Sequence, residues 1–181
     1  LLKSGGHKEL LSRIYKFVIP KSGDESPIEY SNWRNKWVEL SEENRKEIVT
    51  HIEVLSQRPS FTLILDATGW DAVSLFATID SVAEQLYPNW VLHISNINAL
   101  DPELSEKIQT LNDIRIKNSV VTSSDLTDWV VELTPDTQLH ETALFAIAVS
   151  INKKPEVVVL YSDHDHIDPG GNFCDPYMKP D

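Results

Sequence analysis

The sequence predicts an α/β fold, a mostly parallel sheet flanked by helices, and three observations carry that prediction. Short apolar runs ended by turn-compatible residues recur at 61–66, 90–95, 128–133 and 157–161, the mark of strands buried on both faces. Stretches of helical apolar spacing lie between them, and strands alternating with helices imply βαβ units. The chain has 181 residues, 41% of them hydrophobic, enough for one domain with a real core.

Each element has its own signal. In residues 1–30, Leu10, Leu11, Ile14 and Phe17 have helical spacing, and residues 22–27 then read as a flexible joint. Tyr30, Trp33 and Trp37 share one helical face, a spacing that suits packing better than a ligand cage. Ser41 reads as the N-cap of a helix to about Leu55, with Ile48, Ile52 and Leu55 on its apolar side. Residues 1–58 are therefore expected to be a helical lead-in packed on the core, with 59–181 forming the α/β domain. Phe61–Asp66 is the first strand. Leu75, Ile79, Val82 and Leu86 mark a helix that stops at Tyr87-Pro88-Asn89. Trp90–Ser95 is the second strand. Asp101, Pro102 and Glu103 then open a helix to about Leu111. Strands follow at Ile114–Lys117 and Asp128–Leu133. A helix is expected from about Thr137 to Ile151, with Leu144, Ile147, Ala148 and Ile151 facing the sheet. Val157–Tyr161 is expected to be a further buried strand.

Composition narrows the function classes. Sixteen Lys and Arg against 28 Asp and Glu give a formal charge of −12. A surface that acidic argues against nucleic acid as a partner, because phosphate backbones need a basic face. One cysteine, Cys174, excludes an internal disulfide framework and a cysteine-based zinc cage, and fits a reducing compartment. No apolar run approaches the roughly 20 residues of a membrane span and no signal peptide is visible, so a soluble, cytoplasmic protein is expected.

In parallel sheets ligands bind beyond the carboxyl ends of the strands, at the switch in strand order. The positions to question are therefore Asp66–Gly69, Ser95–Asn98, Thr134–Thr137 and Ser162–Asp168. Ser162-Asp163-His164-Asp165-His166-Ile167-Asp168 is the densest chemical signal. Its carboxylates suit Mg²⁺ or Mn²⁺, and its imidazoles shift preference toward zinc and later metals. In an extended segment Asp163 and Asp165 point to one side and His164 and His166 to the other, so all cannot serve one ion. The competing reading is a solvated acidic hairpin turning at Asp168-Pro169-Gly170-Gly171. Asp136 could share a cation with a diphosphate, or it or Thr137 could simply cap the next helix. Asp66-Ala67-Thr68-Gly69 and Asn96-Ile97-Asn98 could contact a base or ribose, or be ordinary turns. The chain lacks the dinucleotide-binding glycine fingerprint, the P-loop and the nucleophile elbow. His93, on a strand, reads as a packed or edge histidine.

Two stretches carry a family resemblance. Ile79-Asp80-Ser81-Val82, Gln85 and Tyr87-Pro88-Asn89-Trp90 resemble the first helix and second strand of family 2 glycosyltransferases. Tyr161-Ser-Asp-His-Asp-His-Ile-Asp168, followed by Phe173, Asp175-Pro176-Tyr177 and Lys179-Pro180-Asp181, resembles "YSDEDxID…FDPxxKPDW" in a bacterial subgroup of that family. The resemblance covers about residues 28–181. It implies a GT-A-like, Rossmann-related fold truncated before the acceptor half, so that 59–181 is the nucleotide-sugar-binding half domain. It also implies transfer of a sugar from a nucleotide-diphosphate donor, with inversion, to a glycan or lipid-linked acceptor in polysaccharide biosynthesis. A divalent metal, Mg or Mn, a location extending to the inner face of the membrane, and a further glycosyltransferase domain in the same polypeptide belong to the same implication.

The family's motifs map onto this chain with departures. Its "PVYN"-like segment falls on Asp66-Ala67-Thr68-Gly69, and its nucleoside-holding acidic pair on Asn96 and Ile97. Its metal-binding Asp-x-Asp-Asp falls on Thr134-Pro135-Asp136-Thr137, where one acid remains. The "SNGG" loop is missing or shortened around Asn118–Leu126. The resemblance thus implies Asp66, Thr68, Asn96, Asn98 and Asp136 as donor-binding residues and Asp136, Asp163 and Asp165 as metal ligands. The family's general base lies in the later half, so no catalytic residue is assigned. Two other readings stand beside this one: a non-catalytic GT-A-like scaffold or partner-binding module, and a metal-dependent hydrolase using the Asp/His segment.

Overall fold

A computed structural model describes residues 30, 39–97, 102–177 and 179. The helical lead-in expected in residues 1–29, Trp33, Trp37, Asn98 and the cap expected at Asp101 fall outside the described residues. The chain divides into two compact units, His51–Pro155 and Leu1–Thr50 with Glu156–Asp181.

Helix α1, Glu42–Glu53, begins where its cap predicts: Ser41 Oγ accepts the Asn44 N–H at 3.2 Å. In the unit His51–Pro155, β1 (Phe61–Asp66), α2 (Ala72–Ala83), β2 (Trp90–Ser95), α3 (Pro102–Leu111), β3 (Ile116–Asn118), β4 (Trp129–Leu133) and α4 (Ala143–Lys153) follow in order. The four strands form one parallel sheet in the order β3-β2-β1-β4. This is the Rossmann-like α/β arrangement the alternation predicts. β1 is central because it is the most apolar: Phe61, Leu63 and Leu65 are fully buried, as are Leu92 and Ile94 of β2. Leu75 and Ile79 of α2 and Leu144, Phe145 and Ala148 of α4 complete the core. Phe61 meets Tyr87 edge to face with ring centres 5.5 Å apart, and the Tyr87 hydroxyl donates to Pro59 O at 2.7 Å.

A buried glutamine joins the two core helices. Gln85 donates from Nε2 to Ser81 O and His140 O and accepts the Leu144 N–H on Oε1. That acceptor takes one of the orphan N–H groups in the first turn of α4, whose N-cap Thr142 makes no side-chain capping bond.

Three expectations need correction. β3 starts at Ile116, not Ile114, because the Asp113 carboxylate folds back onto the Arg115 N–H and guanidinium and leaves Ile114 90% exposed. α4 starts at Ala143, not near Thr137, because Thr134–Thr137 closes a turn of its own. Val157–Tyr161 forms no strand, and Val158 is 84% exposed. An apolar β-branched run supplies propensity, but a strand exists only through a ladder, and this run joins none.

In the other unit β5 (His164–Ile167) and β6 (Phe173–Tyr177) pair antiparallel. This is the hairpin reading of the Asp/His segment. Its turn is built by Asp168, whose Oδ1 accepts the Gly170 and Asn172 N–H groups at 2.8 Å each, with Gly171 at φ +81°.

Candidate functional site

Strand order places the candidate site. β2 and β3 lie on one side of β1 and β4 on the other, so the order reverses between β1 and β4. A crevice outside their carboxyl ends is where open parallel sheets receive ligands. Asp66 ends β1, Asn96 follows β2, and Asp136 follows β4, so neighbouring strands deliver all three to the same edge.

Two of the three touch. Asn96, left-handed at φ +57°, donates from Nδ2 to Asp66 Oδ1 at 2.9 Å. The same oxygen accepts the Thr68 N–H at 3.0 Å and the Thr68 hydroxyl at 2.7 Å. Asparagine tolerates that backbone better than other non-glycine residues. The turn after β1 is thus tied to the turn after β2. These bonds, Asn96's foremost and then Thr68's, hold the Asp66 carboxyl below the usual carboxylate range. Asp66 Oδ2 accepts no bond among the described residues, and the carboxylate is exposed.

Asp136 stands apart from that pair in kind. Thr137 N–H returns to Thr134 O at 3.1 Å, with Pro135 at the second position and Asp136 at the third with φ +69°. A proline followed by a positive φ is the pattern of a type II turn. Helix α4 begins at Ala143 with Thr142 as its N-cap, so neither Asp136 nor Thr137 caps it. The capping expectation is overturned. Asp136 N–H instead reaches Ser74 O at 3.3 Å, fastening the turn to the first turn of α2 and leaving the carboxylate exposed.

Sequence reasoning missed Asp71. Its carboxylate caps α2 by accepting the Ser74 N–H at 2.9 Å, which also lowers its pKa. The signal was present: Asp71-x-x-Ser74 immediately precedes the apolar-periodic stretch. With it, the segments 66–71, 96–97 and 134–137 carry three aspartates and no lysine or arginine. An edge of that composition favours ligand hydroxyl and N–H donors, and repels a diphosphate that arrives without a cation.

Asp163 and Asp165 belong to the other unit. Asp163 Oδ1 accepts the Lys179 N–H at 2.8 Å, and Asp165 Oδ2 accepts the Tyr30 hydroxyl at 2.7 Å. Among the described residues no group of three or more His, Cys, Asp or Glu side chains is gathered to hold a metal ion. The expected ligands therefore do not make a protein cage. A lone carboxylate such as Asp136 fits only an ion that brings phosphate oxygens and water with it.

His93 is packed rather than at an edge. It lies buried on the internal strand β2, with Nδ1 3.0 Å from Ser119 Oγ and Nε2 without a partner among the described residues. Burial pushes its pKa down.

No family model matches the chain. Over 143 residues, 70% of this chain, it is 26% identical to an uncharacterized protein, y4gI, of Sinorhizobium fredii. Over 142 residues, again 70% of the chain, it is 25% identical to the O-antigen biosynthesis protein RfbC of Myxococcus xanthus. The chain spans only 16% and 11% of the lengths of these two relatives. No described helix is long and apolar enough to cross a membrane. The chain is thus distantly similar to a protein named for O-antigen biosynthesis, on a parallel α/β sheet.

Proposed function

We propose that this chain is the donor-binding part of a family 2-type, GT-A-like glycosyltransferase that uses a nucleotide-diphosphate sugar in polysaccharide biosynthesis. The observation that carries this reading is the joining of Asp66, Thr68 and Asn96 at the carboxyl ends of β1 and β2, beside the switch in strand order. The likeness to the O-antigen biosynthesis protein and the two family stretches support it. In this reading Asp66 and Asn96 accept donors from the base or ribose of the nucleotide. Thr68 holds the Asp66 carboxylate in place, and Asn98, two residues after Asn96 in the sequence, is the further donor-binding residue of the proposal. Asp136, across the switch point, faces the diphosphate. A divalent ion, Mg or Mn, bound with that diphosphate would offset its charge against the acidic edge. The acceptor in this proposal is a glycan or lipid-linked saccharide.

A second reading is favoured by one specific observation, the survival of a single acid in Thr134–Thr137. It is a non-catalytic GT-A-like module that contacts a partner domain of a larger transferase. Thermal unfolding with UDP, GDP or dTDP, each with and without Mn²⁺, separates the two. A ligand that binds only the folded chain at a hundredfold excess over its Kd stabilises it by about 2.7 kcal/mol. The first reading predicts a metal-dependent rise in Tm that Asp136→Ala abolishes. No rise with any of the nucleotides would leave the non-catalytic reading.

A further inference from the structure

His93 is a buried titratable group that donor binding does not use. It stands in register between Ile64 of β1 and Lys117 of β3, with 1% of its surface exposed. Thr62, two residues before Ile64, therefore lies on the same side of the sheet. The loop between β3 and β4 crosses that side. Its second half is fastened to Thr62, whose hydroxyl donates to Asp125 O at 3.1 Å and accepts the Thr127 N–H at 3.0 Å. Its first half is fastened at Ser119, whose Oγ lies 3.0 Å from His93 Nδ1. Val120 and Leu126 are 67% and 47% exposed, so polar contacts rather than apolar burial hold this loop down.

The other ring nitrogen decides which way the Ser119 bond runs. Nε2 is buried and has no partner among the described residues. A neutral ring with its proton there would bury an N–H without an acceptor, a rare state. A ring with its proton on Nδ1 donates to Ser119 and leaves only a bare lone pair inside. We propose that His93 is a pH-sensitive latch: with its proton on Nδ1 it donates to Ser119 Oγ and holds the 119–127 loop on the sheet, and a second proton, on Nε2, releases the loop. That second proton finds no acceptor in the closed arrangement. The imidazole takes it up by turning toward solvent, and the bond to Ser119 breaks. Lys117 on β3 opposes the second proton and Asp125 of the loop favours it, while Ile64 on β1 carries no charge. Burial outweighs Asp125, so the closed ring stays neutral to lower pH than an ordinary histidine. Acid therefore favours the open loop. Asn118 pairs with Ile94, two residues before Asn96, so the loop departs beside the donor edge.

Imidazole ¹⁵N NMR and amide hydrogen exchange at pH 7.5 and 5.5 test this on the chain as it stands. At pH 7.5 the ring proton is found on Nδ1. An opened imidazole titrates near about 6.5 and a closed one lower, so the lower pH increases the open population by up to about tenfold. Exchange of the bonded Thr122, Asp125 and Thr127 amides, corrected for its intrinsic pH dependence, rises accordingly, while the amides of β1 and β2 stay protected. His93→Phe keeps a buried ring without a titrating proton and removes the pH response. Ser119→Ala, at an exposed position, opens the loop already at pH 7.5 and leaves little further rise in acid. A proton on Nε2 at pH 7.5, loop exchange equal at the two pH values, a rise shared by the whole sheet, or a response that survives in His93→Phe would overturn the proposal. No nucleotide takes part, so the latch and the donor reading stand or fall separately.

Discussion

The parallel sheet and the β5–β6 hairpin are built from strands of opposite character. β1 reads Phe-Thr-Leu-Ile-Leu-Asp and buries Phe61, Leu63 and Leu65 completely. β5 reads His-Asp-His-Ile and buries none of its side chains. The sheet strands exist because helices cover their faces and water is excluded. The hairpin strands exist because one aspartate and two glycines turn the chain back on itself. The lesson is that burial fixes register in the first region and turn chemistry fixes it in the second. Substitutions should therefore act through different mechanisms in the two.

The largest effect is expected in the sheet. Phe61→Ala removes a fully buried ring from the central strand and its edge-to-face contact with Tyr87. A loss of about 3–5 kcal/mol is expected in urea unfolding. A loss below about 1 kcal/mol would mean that β1 is not the centre of the core. In the hairpin, Gly171→Ala forces a β-carbon into a left-handed backbone at φ +81°, although nothing lies within 4 Å of it. The strain is about 1–2 kcal/mol, read as faster amide exchange confined to residues 164–177. Faster exchange throughout the sheet as well would break the contrast.

A smaller effect depends on pH. His93 is buried and its folded pKa lies below the unfolded value of about 6.5, so the unfolded chain binds its proton first as pH falls. Its contribution to stability is full above about pH 6.5 and is lost as pH drops toward the lowered folded value. Asp125 opposes this shift and Lys117 adds to it. His93→Leu should flatten the dependence of Tm on pH in that window. An unchanged slope would place the titration elsewhere.

The same division explains what the sequence made legible. β1 and β2 could be bounded to the residue because apolar runs between turn residues are buried in both directions. Val157–Tyr161 has the same composition and no ladder, and composition cannot report a missing partner. The turn at Thr134–Thr137 displaced the start of α4 by six residues, although Pro135 was a visible warning. Asp71 was readable as a cap and was overlooked. The contact of Asn96 with Asp66 was not readable, since it needs β1 and β2 to be neighbours in register, Asp66 beside Ser95. Asp66–Gly69, Ser95–Asn98 and Thr134–Thr137 followed from the strand-end rule, whereas Ser162–Asp168 follows no strand, because Val157–Tyr161 joins no ladder; which positions touch followed only from strand order.

The edge that carries Asp66, Asn96 and Asp136 is the proposed nucleotide site. The most direct measurement is an amide NMR titration of the chain with UDP and Mg²⁺, followed residue by residue. Shift changes concentrated at residues 66–71, 96–97 and 134–137, saturating together and attenuated in Asp66→Asn, are the predicted result. Saturable changes elsewhere, or none at these three strand ends with any nucleoside diphosphate, would contradict it.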